Sequence, residues 1–108
     1  MVQIPEKPII EEFKRRVEER FPGELVRLII FGSKARGEAT SESDVDLLVV
    51  IQSDNWRLGD EIRGVGYALE LEHGVVLSIQ AISLAHYERL RASGTQFFYV
   101  LEQEGVVV

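Results

Sequence analysis

The sequence predicts a layered α/β or α+β domain built on one small β-sheet, and two observations carry that prediction. Short apolar runs rich in branched residues alternate with stretches of helical periodicity from one end of the 108-residue chain to the other. No internal repeat, low-complexity tract or linker interrupts the alternation, so residues 1–108 are read as a single domain with one core.

Pro8 suits a helix's first turn, and Ile9, Phe13, Val17 and Phe21 then recur at four-residue spacing until Pro22-Gly23 stops the pattern. The run "LVRLIIF" between a glycine turn and Gly32-Ser33 reads as a buried strand, and "VDLLVVI" after a polar loop reads as a second. Ser53 or Asp54 is the expected N-cap of the longest helix, whose stripe is Leu58, Ile62, Val65 and Leu69 and whose stop is Gly74. Gly64 and Gly66 inside that helix each cost up to about 1 kcal/mol against alanine, so either a neighbouring backbone packs close there, the favoured reading, or the helix is locally weak. "GVVLSIQAI" is a third strand with Val75, Leu77, Ile79 and Ala81 on one face and the more polar Val76, Ser78, Gln80 and Ile82 on the other. Ser83 caps a short helix ended by Gly94, Thr95 starts another ended by Gly105, and Val106 to Val108 reads as a short edge strand.

Composition narrows the function. A hydrophobic share of 45% with 28% charged residues is that of a folded soluble protein. The formal net charge of −6 opposes unaided binding to nucleic acid, whose phosphates dominate affinity. The absence of cysteine excludes disulfides and thiolate metal sites and fits a reducing, cytoplasmic setting. The N-terminal stretch lacks the pattern of an export signal, and no window reaches the roughly 18 apolar residues of a membrane span.

The chemistry concentrates in "FGSKARGEATSESDVDLLV", Phe31 to Val49. Residues two apart on a strand share a face, so Asp44 and Asp46 present two carboxylates roughly 6.5–7 Å apart at Cα. An unpaired carboxylate entering a core is costly, and a hard cation relieves it: Mg²⁺ takes one or two carboxylates and completes its shell with water and the phosphates of a nucleotide. Taken alone, Asp-x-Asp also fits a solvated strand entrance. Gly32 and Ser33 add to the metal reading. Glycine lets a ligand approach the backbone, the helical turn "SKARG" offers N–H groups to a phosphate, and Lys34 and Arg36 lie within reach of further charge.

The order of these residues resembles the signature of the polymerase-β-like nucleotidyltransferase superfamily, in its minimal nucleotidyltransferase (MNT) branch. The matching positions are Gly32, Ser33, Ala35, Arg36, Gly37, Ala39, Ser43, Asp44, Asp46 and Leu47, and the closing "FFYVLEQEGVVV" is also similar to the family. The resemblance implies a small mixed sheet of three to four strands with helices packed against it. It also implies an enzyme that binds Mg²⁺ and a nucleoside triphosphate, ATP in the first place, and moves a nucleoside monophosphate to an acceptor hydroxyl. Gly32 and Ser33 would hold the triphosphate, and Asp44 and Asp46 would ligate metal and act in catalysis. In this branch the partner is often a separate HEPN-type helical protein, the two forming a toxin–antitoxin pair.

One departure stands out. Active superfamily members generally add a third carboxylate from a later strand, and "VVLSIQAI" offers only Ser78 and Gln80 there. Neither side chain can act as general base or supply an anionic ligand. Three readings remain: slow transfer or transfer aided by a partner's residue; nucleotide binding or protein interaction without turnover; or completion by a carboxylate such as Glu70 or Glu72. His73 and His86 read as surface residues; Trp56 could stack on a base, but an aromatic at a helix start is more often packed against a neighbour. The run Phe97 to Tyr99 cannot face one core, so at least one ring is exposed or covered by another chain. The apolar tail Val106–Val108 could likewise pair with a second copy.

Overall fold

The computed structural model describes residues 3–38 and 44–108. In chain order these form α1 (Lys7–Arg20), β1 (Leu25–Phe31), the single turn α2 (Ser33–Arg36), β2 (Val45–Ile51), α3 (Trp56–His73), β3 (Leu77–Ser83), α4 (Leu84–Ser93), α5 (Gln96–Glu104) and β4 (Val106–Val107). The sheet order is β3-β2-β1-β4, with β1 antiparallel to both β2 and β4 and β2 parallel to β3. The α3 crossover permits the parallel pair, since parallel neighbours cannot be joined by a tight turn. The architecture is therefore a mixed four-stranded sheet with helices on both faces, as the resemblance implies.

Alternation along the strands sorts the core into two layers. Leu28, Ile30, Val45, Leu47, Val49, Ile51 and Leu77 bury one face against Phe13, Val17, Ile62, Val65 and Leu69 of α1 and α3. Ile29, Leu48 and Val50 bury the other against Tyr87, Phe98 and Leu101 of α4 and α5. The strand β2 is thus covered on both sides, and Asp46 is its one residue that stays partly exposed. A charge at that position sits where the second helical layer gives out.

Several local expectations are corrected. The fully buried residues of α1 are Ile10, Phe13 and Val17, whereas Ile9 and Phe21 are only partly buried. A strict four-residue repeat drifts about 40° per step on a 3.6-residue helix, which rotates both ends of the stripe off the core. The cap of α3 is Asn55, whose side chain accepts from Arg57 N–H at 2.9 Å; Ser53 instead donates from N–H and Oγ to Glu24 at 2.9 and 2.5 Å. Trp56 is 71% exposed rather than packed, with the Arg57 guanidinium 5.4 Å from its ring. The paired strand β3 starts at Leu77, later than the pattern suggests, although Val76 C=O already accepts from Val45 N–H at 2.9 Å. Of Gly64 and Gly66 only Gly66 is there for packing, and its close neighbour is a side chain rather than a backbone: a methyl on it would overlap Ile79 Cδ1, while Gly64 faces open space.

Candidate active site

The site is assembled where β1 ends and β2 begins. Antiparallel register sets Phe31 opposite Asp46, and parallel register sets Ser78 opposite Asp46 on the other side, so the three share one face of the sheet. Gly32 follows Phe31 directly, with φ 75° and ψ −155°, a conformation open almost only to glycine. The space a side chain would fill at Gly32 is taken by the Asp46 carboxylate, whose Oδ2 an added methyl would overlap. Backbone and carboxylate are in contact there because Gly32 has no Cβ, which gives the glycine two independent reasons.

The turn α2 then leads away from Gly32, with Arg36 N–H bonded to Gly32 C=O at 3.2 Å, and Gly37 in the left-handed region closes it. Its two cations are placed very differently. Lys34 is buried at 6% exposure, and its Nζ lies 2.9 Å from Glu6 Oε2. Arg36 is more exposed and pairs with Glu38 at 3.1 Å and with Glu104 at 3.5 Å. Its charge still reaches Asp46. Burial, and then the neighbouring Asp44 charge, push the Asp46 carboxyl above its ordinary range, against the pull of Arg36 and a hydrogen bond from Ser78.

This donor set fits a hard divalent cation: two oxygen-only carboxylates whose charges disfavour each other and one of which is partly desolvated. Among the described residues no third His, Cys, Asp or Glu gathers with them. Glu72 is held by Arg16 of α1 at 2.9 Å, and among the described residues neither it nor Glu70 gathers with the pair into a group of three. Ser78 lies directly opposite Asp46, and Gln80 lies one same-face position farther on, opposite Leu48 and exposed. Ala39 and Ser43 of the motif lie outside the described residues. His73 and His86 are exposed.

The nucleotidyltransferase domain family matches residues 10–92, which is most of the chain and includes nearly every element from α1 to α4. The chain belongs to the nucleotidyltransferase domain family. A relative in Methanocaldococcus jannaschii, provisionally designated a protein adenylyltransferase, is 36% identical over 73 residues, which are 68% of this chain and 69% of the relative. A crystal structure of a provisionally designated nucleotidyltransferase from Sulfolobus solfataricus superposes with a TM-score of 0.62 at 20% identity, covering 93% of this chain and 76% of that one. A toxin–antitoxin structure with AMP-PNP superposes with a TM-score of 0.52 at 18% identity, covering 90% and 70%. At such identities the two structures speak for the fold of this nucleotidyltransferase-family chain.

What the motif does not reveal is the part-buried ion pair of Lys34 with Glu6. A basic residue next to the glycine turn reads as a phosphate ligand, and the fold sets its ammonium 2.9 Å from Glu6, 28 residues upstream. Among the described residues no helix is long and apolar enough to cross a membrane.

Proposed function

We propose that the protein binds a magnesium nucleoside triphosphate, ATP in the first place, and transfers its nucleoside monophosphate to a hydroxyl of a partner protein. The observation that carries this reading is the contact between Gly32 and Asp46, which joins a phosphate-accessible backbone to a carboxylate coupled to Asp44. Gly32 and Ser33 would receive the triphosphate, Arg36 would balance charge beside it, and Asp44 and Asp46 would hold the cation. When bound, Mg²⁺ supplies the positive charge that offsets the phosphates and the paired carboxylates. In the transfer itself the acceptor oxygen bonds to the α-phosphorus, the bond from that phosphorus to the bridging oxygen breaks, and pyrophosphate leaves with the electron pair. The acceptor proton goes to solvent or to a partner's base, since Ser78 cannot take it.

The adenylyltransferase designation of the relative and the AMP-PNP of the toxin–antitoxin structure support an adenine nucleotide and a protein acceptor. We assign the partner as a separate helical protein of the HEPN type, with this chain as its antitoxin in a cytoplasmic pair. A second reading, nucleotide binding or partner binding without turnover, is favoured by one observation: a serine occupies the position beside Asp46 on the neighbouring strand.

Calorimetric titration of ATP in Mg²⁺ and again in EDTA tests the first reading. Binding that needs Mg²⁺ and disappears in Asp44→Asn, with an unchanged circular dichroism spectrum, is the expected result. No heat under any condition would remove the nucleotide site. Binding without pyrophosphate release in the presence of the partner would favour the second reading.

A further inference from the structure

The run Phe97 to Tyr99 is resolved into three roles by α5. Phe98 is buried on Tyr87, ring centroids 5.3 Å apart, and Tyr99 faces solvent. Phe97 does neither. It meets Phe31 edge to face at 5.6 Å and remains 37% exposed. The two rings border a slot of about 220 Å³ whose other walls include Gly32, Gln96 and Val100. Gly32 is therefore shared: one side of it touches the Asp46 carboxylate and it also lines the aromatic slot. The rim holds one carboxylate, Glu104, and Arg36 lies 3.5 Å from it, so its charge is compensated.

We propose that this slot takes the purine base of the nucleotide, with Phe97 as the stacking surface and Gln96 as the group that reads the base edge; the assignment rests on the triphosphate binding at Gly32 and Asp46. An aromatic wall suits any base, because every base presents a π-face. A glutamine amide carries donor and acceptor side by side, which matches the N6–H and N7 of adenine. Continuity through Gly32 is what selects a nucleotide as occupant over an unrelated apolar group: the slot begins at the residue where the phosphate cradle ends.

The experiment compares ATP with inorganic tripolyphosphate, which has the phosphates and no base, by calorimetry in Mg²⁺. The wild-type protein should bind ATP about tenfold more tightly than tripolyphosphate, the size of a stacking contribution. Phe97→Ala should bring ATP down to the level of tripolyphosphate and leave tripolyphosphate itself unchanged. Phe97→Leu, which keeps an apolar contact with Phe31, should lose most of the same preference and guards against a folding effect. Gln96→Ala should narrow the lead of ATP over UTP. Equal affinity for ATP and tripolyphosphate in the wild type, or a preference that survives both Phe97 substitutions, would overturn the slot while leaving the cradle intact. If neither ligand binds in Mg²⁺, both assignments fall.

Discussion

Gly32→Ala tests the contact on which the geometry of the candidate site depends. Two separate costs are expected. The backbone at φ 75° and ψ −155° is closed to a residue with Cβ at a cost of about 1–3 kcal/mol. The new methyl also overlaps Asp46 Oδ2 and sits 3.2 Å from its Cγ, so the carboxylate must rotate away, which adds about 1 kcal/mol, at the low end for overpacking because a terminal group can give. A double-mutant cycle with Asp46→Ala separates the two. With the carboxylate removed, Gly32→Ala should cost about 1 kcal/mol less than it does in the wild type, while the backbone term remains. Gly74→Ala provides a reference, since Gly74 has φ 67° and ψ 31° with nothing within 4 Å, and should cost about 1 kcal/mol. Urea unfolding followed by circular dichroism supplies the free energies. Additivity of Gly32→Ala and Asp46→Ala within about 0.5 kcal/mol would refute the contact. The displaced carboxylate should also abolish Mg²⁺-dependent ATP binding in the single variant even where the fold survives.

Three further outcomes follow from other parts of the molecule. The Asp46 carboxyl is held above its ordinary range by burial and by Asp44, so its ionisation weakens the metal-free fold: stability from this group is fully present below the unfolded value and is lost as pH rises through the folded one. In EDTA, Asp46→Asn should therefore match the wild type near pH 3 and become the more stable protein by pH 7, and a constant difference across that range would contradict the assignment. Lys34→Met removes a buried ammonium and leaves the partly buried Glu6 without its 2.9 Å partner, and should cost about 1–3 kcal/mol in chemical denaturation; an unchanged midpoint would contradict the pair. Gly64→Ala should raise stability by up to about 1 kcal/mol, because the position is helical and open, whereas Gly66→Ala must displace Ile79 and should not gain; thermal melts of the two variants compare them directly.

The aspartate pair and the glycine turn are legible because they are close in sequence. Between Gly32 and Asp46 lie 13 residues, and the two-residue period of a strand is enough to set Asp44 and Asp46 on one face. The strands and most helix stops are legible for the same reason: Gly74 and Gly94 end helices in the left-handed conformation that glycine favours, and Ser83 and Thr95 cap the helices that follow them. The missing third carboxylate can also be read from "LSIQAI", although which of Ser78 and Gln80 stands beside Asp46 depends on strand register.

What periodicity does not supply is everything set by contacts between distant segments. Ser53 reads as a cap of α3 and is instead engaged by Glu24, because the chain entering β1 passes beside the chain leaving β2. Lys34 reads as a phosphate ligand beside its glycine turn, and packing of the α1 entrance brings Glu6 to its ammonium. The sequence by itself determined the order of elements, most residues of the core and the chemistry of the motif, since these follow from local spacing and side-chain type. Only the tertiary structure decided that Asp46 fills the space at Gly32, that Ser78 is its neighbour, and that Phe97 lines a slot continuous with that glycine. Those are relations of register and of layer packing, and the physical reason is that no local interaction energy specifies which strand lies next to which, or how far a helix layer extends over the sheet.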